Sequence, residues 1–361
     1  MPPRRPPKDL SASPLLSPAA PARTTAPRIF PIQTKAHPMK AFFKRVTATL
    51  AGLLAAAGVA HGADHPKEIR VDYAYYSPPS LVLKRFGWLE EAFKADGVPI
   101  KWVLSQGSNR ALEFLNSGSV DFGSSAGLAA VLSKANGNPI KSVYVFSRPE
   151  WTALLVAKDS PIKSLKDLKG KKIAAAKGTD PFLFLLRSLH EEGLAKSDVE
   201  ILALQHADGR AALEQGRVDA WAGLDPLMAG SELQAGSRIL HRNVAFNTYG
   251  FLSTTERFAT QYPDDVRRVI AAYEKARKWI IANPGKTAEL IAEEARLPLD
   301  VAKLQLKRND FSNPVPGAEH VAALKAAAPI LVEEDLVRKN TNVGGVIDAL
   351  VEPGFARAVV K

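Results

Sequence analysis

The sequence predicts an α/β fold. Strand and helix signals alternate from Glu68 onward with short connections between them. Helical segments stop at glycine and a strand follows at once, as at Gly118 and Gly216. Two distant stretches also repeat one order. Gln106–Gly123 reads Q-G-S-N-R-A-L-E-F-L-N-S-G-S-V-D-F-G, and Gln205–Gly223 reads Q-H-A-D-G-R-A-A-L-E-Q-G-R-V-D-A-W-A-G. Each gives a glutamine, a loop, an Arg-Ala-rich helix, a glycine, then Val-Asp and a strand. The echo is either the helix–glycine–strand step common to α/β chains or the mark of two similar lobes, each giving an equivalent rim to one cleft.

The elements follow in order from period and punctuation. Strands are expected at Ile69–Tyr75, Ile100–Leu104, Val120–Phe122 and Ile140–Phe146. Helices fall between them at Leu81–Ala95, Asn109–Asn116 and Leu128–Asn136. The middle section repeats the grammar with strands at Trp151–Ala157, Lys172–Ala175, Val199–Leu204 and Val218–Trp221. Its helices are Ser164–Leu168, Asp180–Glu192 and Gly209–Gln215. After a strand at Phe251–Ser253 the chain turns helical, at Pro263–Asn283, Lys286–Ala295, Leu299–Arg308 and His320–Glu334.

Composition bounds the function. The 361 residues are 46% hydrophobic and 24% charged, a globular balance. There is no cysteine, which removes disulfides, thiol catalysis, thiolate metal sites and a lipoprotein anchor. The net charge of +11 is uneven: residues 1–38 carry +5, residues 39–62 carry +3, and 63–361 only +3. So nearly neutral a body gives no reason to bind nucleic acid. Residues 1–38 hold ten of the 26 prolines and no apolar periodicity, the pattern of a disordered segment. Lys40, Lys44 and Arg45, the uncharged run Val46–Ala60 and the exit Ala60-His61-Gly62 then read as a secretory signal peptide over 39–62. These segments lead to the expectation that Met39 is the true start, residues 1–38 a mis-assigned start, and the mature, exported protein begins near Ala63.

No catalytic or metal motif is present. The five histidines beyond residue 62 (His65, His190, His206, His241, His320) lack metal-motif spacing. There is no nucleophile elbow, P-loop or dinucleotide fingerprint. What recurs is a small or polar turn between a strand and a helix: Tyr75–Ser80, Gln106–Asn109, Gly123–Gly127 and Lys177–Pro181. Each could be a plain N-cap. Converging at equivalent strand ends, they could instead offer N–H groups and hydroxyls to an anion. Asp180 either caps its helix or meets a cationic part of a ligand. Tyr75, Tyr76, Trp151, Trp221 and Tyr249 lie near strand ends, as core or as the wall of a cleft.

These turns resemble the solute-binding proteins of ABC importers for aliphatic sulfonates, in a wider group with taurine-, nitrate- and pyrimidine-binding members. The matching stretches are G-S-N-R-A-L-E-F-L-N-S-G-S-V-D-F-G-S-S-A-G (107–127), D-S-P-I-K-S-L-K-D-L-K-G-K-K-I-A (159–174), K-G-T-D-P-F-L-F-L-L-R-S-L (177–189) and V-D-A-W-A-G-L-D-P (218–226). The resemblance covers about 66–355. It implies a two-lobed periplasmic binding protein fold (type II), with a ligand cleft between lobes joined by two hinge strands. Lobe one would be 66–147 and 251–361, and lobe two 148–250. It implies a monomeric, periplasmic, non-enzymatic protein without a cofactor, which hands an organic sulfonate to a membrane permease for sulfur uptake. The alternatives on this fold are a binder of taurine, nitrate or a thiamine pyrimidine precursor, or an enzyme making that pyrimidine. The expected anion end is Ser80, Ser108, Ser124, Ser125, Ala126 and Thr179. The organic end is Tyr75, Trp221 and Tyr249, with Asp180 and Asp225 orienting a polar group.

Overall fold

The computed structural model describes residues 65–361. The expected disordered segment 1–38 and signal peptide 39–62 lie outside them. Eleven strands are found among the described residues: β1 (Ile69–Tyr73), β2 (Ile100–Leu104), β3 (Phe122–Ala126), β4 (Ile140–Pro149), β5 (Leu154–Val156), β6 (Lys172–Ala175), β7 (Glu200–Ala203), β8 (Ala220–Ala222), β9 (Arg238–His241), β10 (Gly250–Thr255) and β11 (Asn309–Asp310). They form two sheets, in the orders β11-β4-β10-β3-β1-β2 and β7-β6-β8-β5-β9. In the first, β1 runs parallel to β2 and β3, and β10 runs antiparallel to β3 and β4. In the second, β6 runs parallel to β7 and β8, and β5 runs antiparallel to β8 and β9. The chain leaves the first sheet after Pro149 and returns to it at Gly250. This is the two-lobed, mixed α/β architecture of periplasmic binding proteins.

Helices cover both sheets. In the first lobe, α1 (Pro78–Phe86) and α2 (Trp88–Phe93) follow β1, α3 (Ser108–Ser117) follows β2, and α4 (Gly127–Ala135) follows β3. In the second, α5 (Asp180–Glu191) follows β6, α6 (His206–Glu214) follows β7, and α7 (Leu227–Gly230) follows β8. After β10 come α8 (Glu256–Gln261), α9 (Pro263–Ala282), α10 (Pro284–Ala295), α11 (Leu299–Lys307), α12 (Ala318–Ala327), α13 (Pro329–Glu333), α14 (Val343–Leu350) and α15 (Gly354–Val359).

Four expectations are corrected. The single helix Leu81–Ala95 is broken at Gly87, which adopts φ +63° and so divides α1 from α2. The helix His320–Glu334 is likewise divided before Pro329, whose missing N–H fits a first turn. The stretch Gly123–Gly127 is not a turn, because residues through Ala126 belong to β3 and pair with Gly250–Ser253 of β10. Neighbours on both sides override the weak strand propensity of Gly-Ser-Ser-Ala. Trp151–Ala157 contracts to the three residues of β5. Two short strands, β9 and β11, carry too little alternation to be read in advance.

One large apolar core runs under both sheets, with Phe122, Phe146, Phe184, Phe251 and Tyr273 among its fully buried rings. A satellite core in the second lobe gathers Leu155, Ala174, Leu213, Trp221 and Met228. Helix α6 can approach Trp221 because residue 209 is glycine: a Cβ there would lie 2.8 Å from the indole.

Candidate functional site

Parallel strands in both sheets send their carboxyl ends toward one place. The segments that leave them surround a cavity of about 340 Å³. Tyr75 and Tyr76 come from the end of β1, and Ser105 and Gln106 from the end of β2. Gln205 and His206 come from the end of β7, and Leu224–Leu227 from the end of β8. Ala295 and Leu297, at the end of α10, complete the wall. Carboxyl ends of parallel strands are where α/β sheets receive ligands, and the volume suits a small organic molecule.

The lining divides by chemistry. Tyr75, Tyr76, Leu224, Pro226, Leu227 and Leu297 give apolar surface; Ser105, Gln106, Gln205 and His206 give uncharged polar groups; Asp208 and Asp225 give carboxylates. Among the described residues that line it there is no lysine or arginine. The walls are fixed from behind. Tyr76 donates its hydroxyl to Ser124 O at 2.9 Å and sets its ring edge-on to Trp151 at 5.7 Å. Gln305 of α11 donates its amide to Tyr75 O.

Three buried titratable groups set the electrostatics. Asp225 accepts from Ala229 N–H at 2.9 Å and pairs with Arg308 at 3.1 Å, and Arg308 also holds Glu232 at 2.7 Å. Burial pushes Asp225 up to about 6 against the pull of that guanidinium, so it is a carboxylate at neutral pH. His206 is 2% exposed and neither ring nitrogen has a hydrogen-bond partner. Burial pushes it down to about 4, which keeps the imidazole neutral. Asp72, packed beside Ser105 and Ser124, accepts from Ser124 N–H at 2.8 Å, and burial pushes it up to about 7.

Of the residues expected at a site, the cavity gathers Tyr75 and Asp225. The others lie elsewhere. Ser80 donates its hydroxyl to Ser77 O at 2.7 Å, and Thr179 donates to Ala176 O at 2.6 Å. Ser108 Oγ accepts from Ala126 N–H at 3.0 Å, which occupies that N–H, and Ser108 does not line the cavity. The hydroxyl protons of Ser80 and Thr179 and the N–H of Ala126, held this way, are not free for an anion. Ser124 and Ser125 are buried in β3 with hydroxyl oxygens that have no partner, but they do not line the cavity. Trp221, expected at a cleft wall, packs in the satellite core. Tyr249 lies against His320, with ring centroids 4.3 Å apart.

Asp180 neither caps α5 nor faces the cavity. Its buried carboxylate accepts from Trp151 Nε1 at 2.9 Å, Thr248 N at 3.1 Å and Thr248 Oγ1 at 2.7 Å. It thus ties the start of α5 to the two segments that cross between sheets. Nor are the four turns N-caps of the usual kind, since Ser77, Gly107, Ala126 and Thr179 make no side-chain capping bond.

Sequence reasoning missed Ser105, Gln106, Gln205 and His206. The two glutamines open the repeated stretches, so the echo itself held the signal. His206 was weighed only against metal spacing, and no group of three metal-ligating side chains occurs among the described residues.

The sequence matches the NMT1/THI5-like family over residues 87–287. The chain belongs to that family. A curated relative from Escherichia coli (strain K12), named for the binding of aliphatic sulfonates, is 32% identical over 81% of this chain and 93% of its own. The alkanesulfonate-binding protein SsuA from Xanthomonas axonopodis pv. citri, solved bound to MOPS, superposes with a TM-score of 0.73 at 27% identity, covering 80% of this chain and 99% of its own. The periplasmic aliphatic sulphonate binding protein SsuA from Escherichia coli gives 0.69 at 30% identity, covering 80% and 93%. The resemblance drawn from the quoted stretches therefore extends over nearly all of the described residues of this NMT1/THI5-like chain.

Proposed function

We propose that the protein binds an organic sulfonate in the cavity between its lobes and delivers it, in the periplasm, to the membrane permease of an ABC importer for sulfur uptake. It acts as a monomer and performs no chemistry on the ligand. The observation that carries this reading is the cavity itself, where uncharged donors from both lobes meet apolar walls. A sulfonate is a permanent anion with three acceptor oxygens. It needs donors and no proton, and its organic part needs apolar contact. Kinship with proteins named for sulfonate binding supports the same choice. The segments crossing between the sheets, near 149–154 and 241–250, would act as hinges.

One observation favours a second reading. Asp208 and Asp225 line the cavity, which suits a sulfonate that also carries an ammonium group, as taurine does. A thermal-shift panel of ethanesulfonate, hexanesulfonate, MOPS, taurine, nitrate and sulfate tests both. Bound at 100 times its Kd, a ligand adds about 2.7 kcal/mol of stability. The expected result is a clear rise in Tm with sulfonates and none with nitrate or sulfate. Stabilisation by nitrate alone, or by none of the sulfonates, overturns the proposal. Taurine outranking hexanesulfonate selects the second reading.

A further inference from the structure

We propose that His206 is a ligand-contacting residue of the second lobe, its imidazole donating one N–H to the anionic group of the bound solute. The inference rests on the cavity being the binding site, as proposed above. His206 lines that cavity, is 2% exposed, and leaves both ring nitrogens without a partner. Burying an imidazole unsatisfied is costly, and a ligand in the cavity would recover that cost.

Its counterpart in the first lobe makes the case sharper. Helices α3 and α6 each begin ten residues before a glycine in the left-handed region, Gly118 (φ +70°) and Gly216 (φ +68°). Ser108 and His206 are thus the same first position in the two helices. Ser108 Oγ accepts Ala126 N–H, a structural bond inside its own lobe. His206 makes no such bond. The ring instead reaches across to the other lobe, where a Cβ on Gly107 would lie 2.9 Å from Nε2. Beside it Gln205, which also lines the cavity, leaves a buried side-chain oxygen without a partner. A half-turn of its amide presents an NH2 there, so two neighbouring side chains of the second lobe can donate to one anion.

Burial keeps the ring neutral near pH 7, with one N–H to give and one acceptor nitrogen. Phenylalanine keeps the ring and loses the donor, while glutamine keeps a donor. Calorimetric titration with MOPS and with hexanesulfonate should show about 10- to 100-fold weaker binding for His206→Phe, the range for a hydrogen bond to a charged group. His206→Gln should stay within about fivefold of wild type, an estimate from the donor it retains. The ring-nitrogen resonances of His206 in the wild type should also move at saturating probe, a readout that needs no variant to fold. Wild type and His206→Phe binding alike, or ring resonances unmoved while the wild type binds, overturns the inference alone. A wild type that binds neither probe nor any other sulfonate overturns the sulfonate reading, and this inference with it.

Discussion

The two rims of the cavity share a frame down to individual hydrogen bonds. In the first lobe, Asp121 N–H donates to Arg70 O, and Arg70 N–H donates back to Asp121 Oδ2 at 2.8 Å. In the second, Asp219 N–H donates to Lys172 O, and Lys172 N–H donates back to Asp219 Oδ2 at 2.8 Å. Each aspartate follows the helix, the glycine and one valine, and locks the start of its strand to the neighbouring parallel strand. The difference lies at the other end of the helix. There the first lobe places a serine used by the fold and the second a histidine the fold does not use. The comparison teaches that the repeated aspartate is architecture, and that function is to be sought where the two copies diverge.

Removing the shared aspartate should give the largest effects, and unequal ones. Asp121 is nearly buried and also takes the Arg70 guanidinium, with Nε at 3.2 Å and Nη2 at 3.0 Å. Asp219 is half-buried and holds one backbone N–H. Asp121→Ala should cost about 3 kcal/mol, at the lower end for a broken buried pair because Arg70 is partly exposed. Asp219→Ala should cost about 1 kcal/mol. Urea unfolding of both variants measures the gap; equal losses would refute the ranking.

Next in size is a contrast in pH dependence. Asp72, in the first lobe, ionises near 3.8 when unfolded and is pushed up to about 7 when folded. Between those values the folded chain keeps a proton the unfolded chain has released, so this group's contribution to stability falls as pH rises. His206, in the second lobe, titrates near 6.5 when unfolded and is pushed down to about 4 when folded. Between those values the unfolded chain takes up a proton the folded chain refuses, so its contribution falls as pH falls. In the wild type the two oppose each other. Asp72→Asn leaves the His206 slope, and its Tm should drop relative to wild type toward pH 4. His206→Gln leaves the Asp72 slope and should do the reverse, each by up to about 3 kcal/mol. Melting curves from pH 4 to 7.5 decide it, and parallel curves for all three proteins would break the contrast.

The sequence carried the frame better than the finish, for physical reasons. The parallel strands Ile100–Leu104 and Lys172–Ala175 were bounded correctly because their apolar runs sit between clear glycine, proline and lysine breaks. The echo located both rims because helix–glycine–strand punctuation is local. The site chemistry is not local. Arg308 reaches Asp225 across 83 positions, and Asp180 reaches Thr248 across 68, and no spacing rule encodes either pairing. The serines of β3 misled because Gly-Ser-Ser-Ala looks like a turn until β1 and β10 are seen on either side of it. His206 was legible in principle, by counting back from Gly216 and comparing with Ser108.

A smaller effect probes the gap between the lobes. Gly107 has φ 168°, an extended conformation open to any residue, so alanine meets no backbone strain there. Its methyl would lie 2.9 Å from His206 Nε2 and 3.1 Å from Cδ2. The ring is buried, so the methyl must push it into the cavity it lines or set the lobes a few tenths of an ångström further apart, and either change disturbs the site. Gly107→Ala should then weaken sulfonate binding about tenfold, about 1.4 kcal/mol, with the melting temperature of the free protein little changed. Unaltered affinity would mean that the lobes take up the methyl without loss.

The smallest effect isolates the serine. Ser108→Ala deletes the acceptor of Ala126 N–H, a buried donor at the end of β3. An orphaned backbone N–H costs about 1 kcal/mol at the low end of its range, so Tm should fall by a few degrees at most. Sulfonate affinity should stay within about twofold, because Ser108 does not line the cavity. His206→Phe should give the opposite signature, with affinity lost and stability nearly kept. Two substitutions at equivalent helix starts would then separate cleanly on two measurements, a melting curve and a titration. If Ser108→Ala instead loses affinity at unchanged Tm, the bond to Ala126 is not its main work, and the first lobe's helix start belongs to the binding site after all.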